Sequence, residues 1–146
     1  MTAIDKSKEL HVSLKTMNDK LHFMGRTDDQ NPVSIDYTPP LGDNLGYTSL
    51  ELLLLSLGSC IGSAVLVLLR KMGKTVRGLE IEADGIRRQE HPTSFSSITL
   101  TLVVNSPDTT EADLDRAVGL ADEKLCPVYA MIKGNVEVIV KRSVSA

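Results

Sequence analysis

The sequence predicts an α+β fold, and three observations carry that expectation. The chain opens with short strand-like runs. A long, nearly charge-free apolar stretch follows at residues 52–69, and beyond it come two alternating strand patterns, two helical patterns and a last strand. That order is not the regular strand and helix alternation of a parallel α/β sheet. With 146 residues and 42% hydrophobic content, the chain can fill one core and is too short for two, so residues 1–146 are expected to form a single domain.

Residues 10–14, 21–24 and 33–37 read as strands, with Gly25 as a breaker after the second and Pro39 and Pro40 closing the third. A three-stranded meander is the simplest assembly. Residues 41–47 contain Gly42, Asp43, Asn44 and Gly46 and form a loop. Thr48 or Ser49 then suits a helix N-cap with Glu51 in the first turn, and the helix should run to about Met72 and stop at Gly73. Arg70, Lys71 and Lys74 complement the negative end of its dipole.

In residues 76–87, Leu79, Ile81 and Ala83 alternate with Glu80, Glu82 and Asp84, and in residues 97–104 the inward set is Ile98, Leu100, Leu102 and Val104. These segments read as a hairpin with one solvated face. Thr109 or Thr110 opens a helix with Leu114, Ala117, Val118 and Ala121 at helical spacing. A short helix starting at Cys126 and Pro127 stops near Gly134, and residues 136–140 close the chain as a strand.

The run at 52–69 reaches the roughly 18-residue lower limit of a membrane span. Ser56, Gly58, Ser59, Gly62 and Ser63 interrupt its middle, and a helix apolar on every side also suits the core of an assembly. Burial by a second copy is the natural solution, so a homodimer is expected and a membrane partner is not. The net charge of −3, the lack of a basic block, and an inventory of no Trp, two Phe and three Tyr argue against nucleic acid as a partner. His11, His22 and His91 are scattered without ligand spacing, and no Gly-rich phosphate loop follows a strand, so neither a metal nor a cofactor is expected. The first residues hold no apolar stretch of secretory length, which points to the cytoplasm.

The candidate chemistry lies in two cysteines, Cys60 and Cys126, in contrasting settings. In a reducing compartment such a pair is redox-active more often than it is a structural staple. On a helix Cys60 shares its face with Leu53, Ser56, Leu57, Ala64 and Val67, a mostly dry wall that keeps a thiol protonated unless a cation approaches. Cys126, directly before Pro127, is an N-cap candidate whose sulfur would feel the positive end of a helix. Both can also be read as small buried hydrophobes.

Glu51-Leu-Leu-Leu-Leu-Ser-Leu-Gly-Ser-Cys60, Arg70-Lys-Met-Gly, Arg87-Arg-Gln-Glu-His-Pro-Thr-Ser-Phe and Glu123-Lys-Leu-Cys126-Pro-Val together resemble the OsmC/Ohr family of osmotically inducible and organic hydroperoxide resistance proteins, in its OsmC-like branch. The resemblance implies two small antiparallel sheets around long central helices in an intertwined homodimer. It also implies a peroxidase without metal or flavin, with Cys60 as peroxidatic thiol and Cys126 as resolving thiol. It implies further that a small organic hydroperoxide is reduced through a Cys60 sulfenic acid and a Cys60–Cys126 disulfide, which an external dithiol, lipoyl-type in the hydroperoxidases, reopens. Arg26, in Met24-Gly-Arg-Thr-Asp-Asp29, matches the arginine that family places beside the thiolate. The carboxylate that orients this arginine in the hydroperoxidases falls at Leu50 here. Glu51, one position on, is a supporting candidate, although at about 100° per residue it lies roughly 180° around the helix from Cys60. The alternative function is a non-enzymatic dimer that binds a small apolar ligand, with structural thiols.

Overall fold

The computed structural model describes residues 5–146. The chain divides into two compact units, Met1–Leu52 and Leu53–Ala146, and the division falls inside the long helix.

The first unit holds the expected meander, an antiparallel sheet in the order β1 (Ser13–Thr16), β2 (Phe23–Arg26) and β3 (Val33–Ile35). Gly25 does not break a strand; it lies buried within β2, opposite Leu14 on one side and Val33 on the other. The Leu14 and Ile35 side chains reach to 3.8 and 3.7 Å of where its Cβ would stand, so neighbouring strands cover the bare backbone. Beyond β3 the loop to the helix is organised by Asp36, which is 1% exposed. One carboxylate oxygen accepts from the Tyr37 N–H at 2.7 Å, and the other accepts from those of Asp43 and Leu45 at 3.2 Å. Burial pushes the Asp36 carboxyl up, but the Leu45, Tyr37 and Asp43 donors together outweigh it and hold the group below the usual carboxylate range. The Ser34 hydroxyl donates to the Leu45 carbonyl at 2.6 Å, which leaves Ser34 Oγ to accept from His22 Nε2 at 2.7 Å.

The loop delivers Thr48 to the start of α1 (Ser49–Lys71). Thr48 and Glu51 form a reciprocal cap: Glu51 Oε1 accepts from the Thr48 N–H and hydroxyl, both at 2.9 Å, and the Glu51 N–H donates to Thr48 Oγ1 at 3.3 Å. At the other end Gly73 takes φ +79°, a conformation open to glycine. The Gly73 and Lys74 N–H groups there donate to the Arg70 and Leu69 carbonyls at 3.0 Å.

In the second unit, Leu57, Ile61, Val65 and Leu69 form a fully buried stripe along α1 at four-residue spacing. Its second sheet has the order β4 (Gly78–Arg87), β5 (Phe95–Asn105) and β6 (Glu137–Ser145). Ile98, Leu100, Leu102 and Val104 of the central strand are fully buried, as their alternation predicts. Gly58 and Gly62 bring α1 close to β4: a Cβ on Gly62 would stand 2.5 Å from Ile81 Cδ1.

β6 runs parallel to β5, from Ser97 opposite Glu137 to Asn105 opposite Ser145, so this sheet is mixed where the resemblance implies an antiparallel one. The reason lies in the connection. Two parallel neighbours need a long crossover, and the helices between β5 and β6 provide it. They are α2 (Glu111–Leu120), a π-helical turn (Ala121–Leu125) and α3 (Pro127–Ile132). Thr110 and Asp113 cap α2 reciprocally, and the Thr110 backbone and hydroxyl, helped by Lys74 at 3.1 Å, hold the Asp113 carboxyl at about 2.

Backbone contacts fix the loop glycines most tightly. A Cβ on Gly46 would collide with the Ser34 carbonyl, whereas Gly119 in α2 has open space around it. Gly46→Ala is expected to lower unfolding free energy by about 1–3 kcal/mol. Gly119→Ala should raise it by up to about 1 kcal/mol through helix propensity. Thermal or urea denaturation of the two variants reads both changes.

Candidate redox site

Cys60 sits in the middle of α1, half-buried, and Cys126 is 3% exposed at the start of α3. Of the residues that share the Cys60 face, Leu57 is fully buried, Leu53 and Ala64 are half-buried, and Ser56 and Val67 are exposed. The dry wall expected from sequence is therefore only partly built by this chain.

Cys126 is the N-cap of α3 with Pro127 at its first position, as the sequence predicts. Its Sγ accepts from the Tyr129 N–H at 3.3 Å. The expectation that the helix end activates this sulfur does not hold. Burial first, and then the neighbouring Cys60 thiol, push the Cys126 thiol up to about 11, against the smaller pull of the Tyr129 N–H. A helix of only six residues offers too weak a field to offset desolvation. Cys60 stands close enough to raise the Cys126 value, so the fold brings the two thiols near one another, although 66 positions separate them in the chain.

The approach of Cys126 depends on the π-helical turn before it. The Cys126 N–H donates to the Ala121 carbonyl at 3.0 Å, five residues back. One extra residue in the turn rotates the downstream chain by about 100° relative to a continued α-helix. Nothing in the sequence of residues 121–125 marks this insertion. Within the turn, Asp122 keeps one carboxylate oxygen buried with no hydrogen-bond partner among the described residues. Burial raises its carboxyl, while the charges of Arg142 and Lys133 oppose the rise.

The remaining candidates belong to the first unit. Arg26 ends β2 opposite Ser13 and is exposed at the rim of an apolar cavity of about 310 Å³ that includes Val12, Leu14, Val33, Ile35 and Leu52. Its guanidinium makes no ion pair or hydrogen bond among the described residues. Glu51 is engaged by Thr48, and the Thr48 N–H and hydroxyl draw its carboxyl below the usual range. The structure gives it a capping part at the start of α1. Asp36 was not singled out from sequence; its position before a Gly-, Pro- and Asn-rich loop is the one local sign of its role.

The raised Cys126 value sets two pH dependences. In a Cys60→Ser variant, Cys126 alkylation by iodoacetamide is expected to climb about tenfold per pH unit and level off only well above pH 9, because the thiolate alone reacts. The folded state holds the thiol proton more tightly than the unfolded chain, whose ordinary value is 9.0 against about 11. This contribution to stability is complete below pH 9 and is lost as pH rises from 9 to about 11, so urea midpoints should fall across that window.

Residues 42–141 match the family described as OsmC-like protein. Protein YhfA of Escherichia coli strain K12 is 30% identical over 118 residues, spanning 81% of this chain and 86% of YhfA. Among solved structures, a hypothetical protein from Aquifex aeolicus superposes with a TM-score of 0.81 at 30% identity, over 92% of this chain and 95% of that one. The organic hydroperoxide resistance protein OhrB of Bacillus subtilis shares the fold, with a TM-score of 0.65 and 20% identity over 92% of this chain and 98% of its own. Both cysteines fall within the matched stretch, and the chain belongs to the OsmC/Ohr family, among its OsmC-like proteins.

Proposed function

We propose that this protein is a thiol-dependent peroxidase that reduces small organic hydroperoxides. The observation that carries the reading is the pairing of a half-buried Cys60 with a buried Cys126 whose thiol stays protonated. The more exposed sulfur and the buried one divide the labour. Cys126 holds its proton at neutral pH and does not compete for peroxide, so Cys60 attacks.

The Cys60 thiolate attacks the terminal oxygen of the hydroperoxide and bonds to it; the O–O bond breaks, the alkoxide leaves and takes a proton to become the alcohol, and Cys60 becomes a sulfenic acid. The Cys126 sulfur then attacks that sulfenic sulfur. A disulfide forms, and the hydroxide released takes the Cys126 proton and leaves as water. An external dithiol, of the lipoyl type or another, reopens the disulfide by exchange and is itself oxidised. Arg26 is assigned to favour the Cys60 thiolate and to hold the peroxide oxygen, because a guanidinium offers charge and a planar donor fork together. Glu51 acts through the cap of α1, which holds the helix that carries Cys60. The reading takes residues 1–146 as one working domain, in a homodimer that covers the exposed side chains of α1 such as Leu55 and Val67, and in the cytoplasm.

Turnover of cumene hydroperoxide with a dithiol tests the reading. Cys60→Ser should abolish it. Cys126→Ser should leave a sulfenic acid on Cys60 detectable by mass spectrometry after sub-stoichiometric peroxide. No turnover with any dithiol, and no oxidation at Cys60, would overturn the proposal. In the Cys126→Ser background, Arg26→Ala is expected to move the pH profile of Cys60 alkylation upward, and Arg26→Lys to restore it in part. An unchanged profile removes Arg26 from the mechanism.

A further inference from the structure

Asp122 Oδ1 is, among the described residues, the one buried side-chain oxygen or nitrogen without a hydrogen-bond partner, and it stands in the π-helical turn that leads to Cys126. It is closed off from solvent within a single chain, so a second copy packed on the surface cannot reach it and assembly leaves it as it is. Such an oxygen bears the full desolvation of the atom, more so when it is charged. The charges that bear on it are Arg142 of β6 and Lys133 at the end of α3, which favour the carboxylate, and Glu123 in the same turn, which opposes it. Arg142 is committed elsewhere: its Nε donates to Asp115 Oδ1 of α2 at 3.0 Å and its Nη1 to the Val140 carbonyl at 3.2 Å. Arg116 of α2 and Lys124 of the turn are exposed. Burial dominates, and the carboxyl is raised above its ordinary 3.8.

The turn also stands where the chain must move. Both cysteines are free, and a disulfide between them needs the sulfurs at about 2.05 Å, so the segment that carries Cys126 has to shift as the bond forms. Upstream, α2 is anchored by its reciprocal Thr110 and Asp113 cap and by Lys74 on Asp113. Downstream, Cys126 is itself the cap of α3 and moves with it. Between them lies the turn, closed by the bond from the Cys126 N–H to the carbonyl of Ala121, the residue before Asp122. Unsatisfied groups and irregular helical turns persist where function uses them.

We propose that Asp122 is a positioning residue for the resolving step: its uncompensated carboxylate keeps the π-helical turn unsettled, which lets Cys126 advance on an oxidised Cys60. A proton on Asp122 removes the charge, settles the turn and slows the advance. The inference rests on the thiol-peroxidase reading for the step it serves. Asp122→Asn keeps the shape and removes the charge. After sub-stoichiometric peroxide, loss of the Cys60 sulfenic acid and growth of the Cys60–Cys126 disulfide are timed by acid quench and mass spectrometry. At neutral pH, Asp122→Asn is expected to close the disulfide about tenfold more slowly than the unsubstituted protein. That ratio should fall towards one as pH is lowered through the Asp122 titration, because the native carboxyl then becomes neutral as well. A merely structural part gives a ratio that pH does not change. Asp122→Ala, which removes the oxygen outright, should slow closure similarly.

Stability moves the other way. The contribution of the Asp122 proton is complete below pH 3.8 and is lost as pH rises through the higher folded value, so Asp122→Asn should show the higher urea midpoint at neutral pH and no advantage in acid. Cys60 alkylation in a Cys126→Ser background should not change with Asp122→Asn. A second trigger separates this inference from the peroxidase reading. Oxidised glutathione places a mixed disulfide on Cys60; the Cys126 thiolate attacks the Cys60 sulfur, and the glutathione thiolate leaves and takes up a proton. Hydroperoxides that fail to oxidise Cys60 sink the peroxidase and leave this second measurement standing. Closure unchanged by Asp122→Asn, slowed by the same factor at every pH, or accompanied by a lower urea midpoint at neutral pH overturns the inference.

Discussion

The close approach of α1 to β4 is the constraint on which the second unit depends. Gly58 and Gly62 remove two side chains from the helix face that meets Ile81, and the helix can then lie down on the sheet with its buried stripe of Leu57, Ile61, Val65 and Leu69. Cys60 lies between those glycines in sequence, on the stretch of helix that approaches β4. Close packing of this kind leaves little freedom for the helix backbone there.

The second sulfur is positioned by a different device. Cys126 reaches Cys60 because a capped helix, a π-helical turn and a Pro-started helix succeed one another within a single crossover. Each break in helical geometry changes the direction of the chain, and the sum sets a buried thiol beside a half-buried one. Burial then decides the chemistry. The helix end and the Tyr129 N–H both favour a thiolate at Cys126, yet desolvation and the neighbouring sulfur outweigh them.

The first unit is held by polar contacts more than by a core. Its sheet has strands of three or four residues, and the loop behind it turns on the buried Asp36 carboxylate and on Ser34. The Ser34 hydroxyl spends its single proton on the Leu45 carbonyl, so its meeting with His22 makes a structural link and not an activated nucleophile. That loop fixes where α1 begins, and with it the Thr48 and Glu51 cap. The fold therefore commits Glu51 to a backbone task.

The sequence by itself determined the features that depend on neighbours along the chain. The length and end of α1, its Thr48 start and Gly73 stop, the buried alternation of β5 and the cap position of Cys126 all come from local hydrogen bonding and from the periods of helix and strand. The family was legible for a related reason, because its two cysteine segments are contiguous motifs. Tertiary structure decided what depends on distant partners. Gly25 continues a strand because Leu14 and Ile35 cover it, and β6 lies parallel to β5 because two helices intervene. The Cys126 thiol is raised because the fold buries it near Cys60, across 66 positions of sequence from 60 to 126. Burial and long-range pairing are properties of the packed chain, and no local pattern of residues encodes their balance.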